Sequence, residues 1–245
     1  MATTEEIIAA NYHGVQTRIE AACRRVGRDP ASVKLVAVTK YAQLDWVRQL
    51  LALGAVELGE SRPQQLIQRA EELGAPLPGQ LPVHWHLIGN LQRNKVRSVL
   101  PHLTMLHAAD SLRLLESVDR IAGELNLQPR VLVEVNLSGE QAKHGFQADE
   151  LLRAWDQIAT LERVRIEGLM TMAAYADDPE NARPVFRRLR ELLDELQRHS
   201  DAKLQGQLQH LSMGMTGDFE VAIEERATIV RIGSALWDGL LEFRL

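Results

Sequence analysis

Short apolar runs alternate with longer amphipathic segments along the whole chain, and this alternation most limits the folds available to it. Repeated alternation of this kind predicts a parallel sheet with right-handed helical crossovers. The predicted strands cover residues 33–39, 55–58, 83–88, 104–107, 130–137, 164–170, 208–211 and 228–232. The predicted helices between them lie around residues 44–53, 62–73, 91–100, 111–125, 148–161, 180–197 and 216–226, and one long helix precedes them at about 4–27.

Eight strand–helix units favour closure of the sheet into a barrel. We therefore predict the α/β class, with a single-domain (β/α)8 TIM-like barrel at about residues 33–237 and an extra N-terminal helix. The 245 residues suit one such domain, and no Gly/Ser linker divides them, so we expect residues 1–245 to form a single domain. An open doubly wound sheet is the alternative, because a run as short as 55–58 predicts a strand only weakly.

The charge pattern argues against nucleic-acid and membrane partners. The net charge is −5 at pH 7, whereas nucleic-acid-binding domains are typically basic. No apolar run is long enough to cross a bilayer, and the acidic start MATTEEIIAANYHG lacks the pattern of a signal peptide. The single cysteine, Cys23, excludes an intrachain disulfide framework, and its helical spacing favours packing over catalysis. We expect a cytoplasmic monomer.

Polar side chains follow the predicted strands, at the ends where the active sites of such barrels gather. The first strand ends in Lys40, although only five of the 28 basic residues are lysines. Lys, unlike Arg, can lose its proton and attack a carbonyl, so a lysine here indicates Schiff-base chemistry. The alternative is a lysine that extends from the barrel mouth into solvent. The other polar or Met candidates at strand ends are Glu60, Ser61, His84, His86, His107, Asp110, Asn136, Met170, Met172 and Ser212.

Gly/Ser-rich loops follow the seventh and eighth strands, where such barrels often bind phosphate. They read LSMGMTGD at 211–218 and RIGSALW at 231–237. Ser212 and Ser234 offer hydroxyls, and the glycines allow an anion to approach the backbone closely. Ordinary turns use the same residues, so the loops alone are weak support. Together with Lys40 they indicate pyridoxal phosphate (PLP), which brings an aldehyde to the lysine and a phosphate to the loops.

Arg231 lies two residues before Gly233 and is a candidate donor to the pyridine nitrogen of PLP. A permanent cation discourages protonation of that nitrogen and weakens the ring as an electron sink. The alternative for Arg231 is an ion pair with Glu224 or Glu225.

A zinc site is a further alternative for the histidines. His84 and His86 are two residues apart, which places them on one strand face, and His107 could add a third ligand. No cysteine pair or His-Glu-x-x-His motif accompanies them, so a role in the pocket wall or in packing is favoured over a metal site.

Five motifs resemble the pyridoxal phosphate homeostasis protein family, in that family's order and over most of the chain. They are VAVTKY (36–41), HWHLIGNLQRNK (84–95), GLMTM (168–172), LSMGMTGDFEVAI (211–223) and VRIGSALW (230–237). The resemblance implies a PLP-binding barrel similar to the N-terminal domain of alanine racemase. It implies Lys40 as the Schiff-base lysine, Arg231 at the pyridine nitrogen and His86 in the pocket wall. It places around the phosphate Ser212, Met213, Gly233 and Ser234.

The sequence departs from this family at three places. The family usually carries a GENYVQE-like motif where this chain reads GESRPQQ (59–65), so Ser61 stands at the Asn position. Ser is shorter, and we expect its contact to the cofactor ring or hydroxyl to be lost or water-mediated. Ser234 replaces the usual Thr and keeps the hydroxyl. Trp237 and Asp238 replace an aromatic residue followed by Gly, which leaves the path of that loop open.

Two functions are compatible with these residues. Racemisation requires a base on each face of the substrate carbon, and Lys40 can serve only one. In the racemases that this barrel resembles, a tyrosine from a second domain serves the other face, whereas one barrel accounts for the length of this chain. Tyr175 is the tyrosine to consider instead. We expect a protein of PLP (vitamin B6) homeostasis without substantial turnover, with PLP-requiring apo-enzymes or amino acids as further partners. A PLP-dependent amino-acid racemase or a related enzyme is the alternative.

Overall fold

Parallel strands form the centre of the molecule. In the residues that the structure describes (2–75, 81–139 and 144–241), eight parallel strands close into a barrel in chain order, with the eighth pairing with the first. This computed structural model confirms the predicted (β/α)8 barrel, and the open doubly wound sheet is wrong. The strands are β1 (Lys34–Val38), β2 (Glu57–Glu60), β3 (His84–Leu87), β4 (Met105–Ala109), β5 (Arg130–Glu134), β6 (Arg165–Met170), β7 (His210–Ser212) and β8 (Ile229–Ile232).

Helices surround the barrel, and the predicted N-terminal helix precedes it. They are α1 (Thr4–Arg25), α2 (Leu44–Ala52), α3 (Pro63–Leu73), α4 (Val96–Val99), α5 (Leu112–Leu125), α6 (Ala148–Ala159), α7 (Arg183–His199), α8 (Ala202–Gln207) and α9 (Phe219–Glu224). Short 3-10 turns occur at Pro30–Ser32, Arg93–Lys95, Leu100–His102, Pro179–Ala182 and Ser234–Leu236. A capping box between Thr3 and Glu6 starts α1, which packs against α2 and α9. None of the helices in the described ranges is long and apolar enough to span a bilayer.

Most elements differ from the predicted ones only in their bounds, and the differences include those at β2, α4 and α8. β2 begins and ends two residues later than predicted and so includes Gly59, where a Cβ would lie only 2.8 Å from Cγ1 of Val36. The segment predicted as a helix at 91–100 forms a single α-helical turn between two 3-10 turns. Val96, Val99 and Leu100 are nevertheless buried, as expected for the apolar face of a helix. Pro101 lacks an amide hydrogen, so α-helical hydrogen bonding cannot continue through it. The short helix α8 was not predicted.

The two faces of the strands have different compositions. Alternate residues point outward into a large apolar core beneath the helices, as Trp85 and Leu87 of β3 do. The intervening residues point into the barrel, where a second and much smaller apolar cluster lies. Its buried members are Val36, Met105, Ala108, Leu132, Met170 and Ile229. Polar side chains share the barrel interior with this cluster, and they continue to the mouth, where the carboxyl ends of the strands gather.

Candidate functional site

Lys40 lies at the mouth, two residues beyond the end of β1. Val36 is paired with Arg231 across β1 and β8, so Lys40 emerges beside the end of β8. The Lys40 carbonyl accepts a hydrogen bond from Nε2 of Gln65 at 3.1 Å, which holds its backbone against α3. Its side chain is exposed, with Nζ 4.8 Å from the centre of the Tyr41 ring. The backbone is therefore anchored while the amine remains accessible.

A buried network behind Lys40 holds this turn in place. The Thr39 hydroxyl donates to Oε1 of Glu60 at 2.6 Å, and Nε of Arg69 lies 2.9 Å from the same oxygen. Arg69 also donates to the carbonyl of Ala42 at 2.6 Å. Burial raises the pKa of Glu60, and the hydrogen bond from Thr39 and the charge of Arg69 oppose that rise. The sequence placed Glu60 among the polar residues at the strand ends, but in the structure its carboxylate faces α3 and supports the turn that carries Lys40.

Arg231 is buried inside the barrel, with only 3% of its surface exposed. Its NH1 donates to Oγ of Ser212 at 2.6 Å, and its NH2 donates to the carbonyl of Thr171 at 3.0 Å. Burial lowers the pKa of Arg231 to about 10, against the opposing charges of Asp218 and Glu134, so the guanidinium stays cationic at neutral pH.

The alternative of an ion pair between Arg231 and Glu224 or Glu225 is wrong. Glu224 binds Arg25 and Arg183 on the outside of the barrel. Glu225 binds arginines of α7, with the shortest contact to Arg190 at 2.7 Å. These carboxylates join α1, α7 and α9, whereas Arg231 points into the barrel.

The loops after β7 and β8 are held together at the mouth. The Arg231 amide donates to the carbonyl of Gly214 at 3.0 Å, and the Ala235 amide donates to Oγ1 of Thr216 at 3.4 Å. Gly214 has φ +92°, and a Cβ there would lie 2.6 Å from Cβ of Ala222, so glycine is required. Thr216 links the two loops, and sequence reasoning had not selected it. The signal in the sequence that could have identified Thr216 was its hydroxyl within a Gly/Ser-rich loop.

The other residues predicted to bind PLP differ in how far they are exposed at the mouth. Ser234 is exposed on its loop, and Gly233 lies against Val38, with 3.4 Å between a Cβ built there and Cβ of Val38. The Met213 side chain is buried in the outer apolar core, so only its backbone belongs to the loop. Ser61 is half-buried, and its carbonyl packs so tightly on Gly89 that a Cβ there would overlap it.

Trp237 defines the path of the loop that the sequence left open. Its indole Nε1 donates to the carbonyl of Val38 at 2.9 Å, and its side chain is buried against Trp46. Nδ2 of Asn11 donates to the carbonyls of Leu236 and Asp238 on either side. The loop after β8 is thereby bonded to the end of β1, two residues before Lys40.

His86 and His107 are buried inside the barrel and contact each other, with 2.8 Å between Nδ1 of His86 and Nε2 of His107. His107 also contacts Ser212, at 2.9 Å, and His86 contacts Glu57, at 2.6 Å. Glu57 was not selected from the sequence, because the candidates were taken from residues at or after the strand ends, whereas Glu57 is the first residue of β2. Within the described part of the chain, no group of three His, Cys, Asp or Glu side chains is arranged to hold a metal ion.

Comparison with known proteins gives consistent matches along the chain. Residues 11–240 match the family described as "Alanine racemase, N-terminal domain". A relative from Aquifex aeolicus named "Pyridoxal phosphate homeostasis protein" is 40% identical over 223 residues, which is 91% of this chain and 94% of that protein. A crystal structure of an unknown protein from Bifidobacterium adolescentis has a TM-score of 0.88 and 35% identity, and the match covers 95% of each chain. The structure of PipY from Synechococcus elongatus with PLP bound has a TM-score of 0.77 and 33% identity, covering 89% of this chain and 99% of that one.

Proposed function

This chain belongs to the pyridoxal phosphate homeostasis protein family, and on that premise we propose that it holds PLP as a Schiff base on Lys40 and serves the homeostasis of this cofactor. The observation that carries the proposal is the position of Lys40 just beyond the end of β1, beside β8. The buried cation of Arg231 lies on β8, and a Gly/Ser loop follows that strand.

The donor chemistry of the mouth suits PLP. When bound, PLP supplies an aldehyde that condenses with an amine, and the exposed amine of Lys40 is accessible for it. The guanidinium of Arg231 stays cationic and is oriented by two hydrogen bonds, which suits a donor to the pyridine nitrogen. The hydroxyls of Thr216 and Ser234 and the adjacent backbone suit the phosphate. Ser61, Gly233 and the backbone of Met213 complete our set of candidate binding residues. The side chains of His86 and Ser212, also predicted at this site, are fully buried and hydrogen-bonded inside the barrel.

The open rim supports a carrier over a racemase. Tyr175 is 94% exposed and Tyr41 is 66% exposed, so these tyrosines at the mouth stand in solvent. A carbanion at the mouth would meet water, whereas an open mouth suits exchange of the cofactor. We further propose that residues 1–245 form one domain and act as a cytoplasmic monomer. The candidate recipients of PLP are apo-enzymes that require it.

Reduction of the PLP-loaded protein with borohydride tests the central assignment. We expect the absorbance of the Schiff base to disappear and a stable label to be found on Lys40 by peptide mass spectrometry. Lys40→Ala should abolish the absorbance. Lys203→Ala, which removes an exposed lysine of α8, should leave it unchanged. A label on another lysine would contradict the assignment.

Turnover separates the carrier from the enzyme. The loaded protein is incubated with a panel of D- and L-amino acids in D2O, and exchange of the α-hydrogen is followed by NMR. We expect no exchange above that caused by free PLP. Rapid exchange or racemisation would favour the enzyme and overturn the carrier.

A further inference from the structure

A continuous row of hydrogen bonds crosses the interior of the barrel from the mouth to its opposite end. We call Arg231, Ser212, His107, His86 and Glu57 the interior network. Successive contacts measure 2.6 Å from Arg231 NH1 to Ser212 Oγ, 2.9 Å from Ser212 Oγ to His107 Nδ1 and 2.8 Å from His107 Nε2 to His86 Nδ1. The last contact, from His86 Nε2 to Glu57 Oε2, measures 2.6 Å. The network joins five strands, from β8 through β7, β4 and β3 to β2.

One end of the interior network can only donate hydrogen bonds, and the other end can only accept them. The guanidinium of Arg231 has donors and no acceptor. Glu57 is the opposite case, because an ionised carboxylate only accepts. Burial opposes the ionisation of Glu57, but hydrogen bonds from His86, Lys34 and His84 outweigh it and hold its pKa well below the usual range. Lys34 Nζ lies 2.7 Å from the carboxylate and His84 Nδ1 lies 3.1 Å from it.

The fixed roles of Arg231 and Glu57 determine which ring nitrogen of each histidine carries a hydrogen. Burial lowers the pKa of both His86 and His107, and the charge of Arg231 lowers the pKa of His107 further. A neutral imidazole has one donor and one acceptor. Because Glu57 accepts, His86 must carry its hydrogen on Nε2, which leaves Nδ1 as an acceptor. His107 must then donate from Nε2 and accept at Nδ1, and the hydrogen of the Ser212 hydroxyl points to His107.

We propose that Glu57, His86 and His107 are positioning residues that orient the Ser212 hydroxyl and, through it, the Arg231 guanidinium that faces the cofactor. This inference rests on the proposed function for its ligand. With its hydrogen directed to His107, the Ser212 hydroxyl presents a lone pair to Arg231 and has no hydrogen left for an anion. The structure therefore assigns the Ser212 side chain to the support of Arg231, and the phosphate to the hydroxyls of Thr216 and Ser234.

The charge that sets this direction lies at the end of the barrel opposite the cofactor. Glu57 is the first residue of β2, and its side chain is 17% exposed there. Lys34 from β1 and His84 from β3 contact it directly. Arg130 of β5 and His210 of β7 are the other charged or titratable groups that act on the two histidines. The ionised carboxylate of Glu57, at the start of β2, thus fixes the direction of every hydrogen bond in the interior network up to Arg231 at the mouth.

Nitrogen-15 NMR of the histidine rings tests the order without any cofactor. In the full-length ligand-free protein at neutral pH, we expect His86 and His107 to be neutral and protonated on Nε2. A hydrogen on Nδ1 of either ring, or an imidazolium, would overturn the proposal. Failure of PLP to bind would instead overturn the proposed function and leave this spectrum unaffected.

Interruption of the interior network tests its effect on Arg231. His107→Phe should weaken PLP binding about fivefold to tenfold and shift the cofactor spectrum, because the Ser212 hydroxyl loses its acceptor. His107→Gln should recover much of the loss, since its amide can donate to His86 and accept from Ser212. His84→Phe is the matched control, because His84 contacts the same carboxylate but lies outside the network. Wild-type affinity and spectrum in a folded His107→Phe protein would overturn the proposal, as would an equal effect of His84→Phe.

Discussion

The inside of the barrel and the layer beneath the helices are built from the same eight strands, yet they are held together in different ways. In β4, Leu106 is buried in the outer apolar core, and the next residue, His107, is buried in the interior network. Outer contacts are non-directional, so their contribution depends mainly on the apolar area removed from water. Inner contacts depend on which atom donates to which. Stability and site geometry are thus largely separated between the two faces of one strand.

The largest expected effect comes from the outer face. Leu106→Ala removes a fully buried side chain and leaves a cavity, so we expect the free energy of unfolding to fall by about 2–5 kcal/mol. Because Leu106 does not belong to the interior network, the PLP spectrum of the folded variant should match that of the wild type. Urea denaturation and absorbance spectroscopy measure the two quantities. A changed spectrum with little loss of stability would contradict the separation of the faces.

The pH dependence of stability gives a smaller effect that arises on the inner face. Burial lowers the folded-state pKa of His86 and His107, so below the unfolded-state value of about 6.5 the unfolded chain binds more protons than the folded one. Stability should therefore fall as the pH drops from 7 to 5, by up to about 1.4 kcal/mol per pH unit for each histidine. His107→Phe removes one of these contributions.

Urea denaturation at a series of pH values measures this loss. The slope of stability against pH should be shallower in His107→Phe than in the wild type. Leu106→Ala, the neighbouring change on the outer face, should keep the wild-type slope despite its lower stability. Equal slopes in His107→Phe and the wild type would show that His107 is not buried in its neutral form.

The smallest effect on stability is expected at the rim, which belongs to neither face. Ser234 is exposed, so Ser234→Ala should change the free energy of unfolding by less than about 0.5 kcal/mol. If Ser234 donates to the phosphate, the variant should still bind PLP more weakly than the wild type. Urea denaturation and titration with PLP compare the two quantities. Unchanged affinity would remove Ser234 from the phosphate site.

Sequence patterns predicted the outer face well and the inner face poorly. Helical and strand periodicities follow from burial against one continuous core, so all eight predicted helices and all eight strands have counterparts in the structure, although one helix is reduced to a single turn. The shift of β2 arose at Gly59 and Glu60, which the apolar pattern could not recognise as strand residues. The proposed ion pair of Arg231 was wrong because Glu224 and Glu225 are near in sequence but point to the other side of β8.

The sequence by itself determined the alternation of strands and helices, the place of Lys40 at a strand end, and the Gly/Ser loops after the last two strands. These features are local, since each depends on residues within one segment. Only the tertiary structure decided that Glu57, at the start of β2, reaches Arg231 through two histidines and a serine. Closure of the barrel brings residues from five strands into hydrogen-bond contact, and no periodicity within a strand records which partner each will meet across the interior.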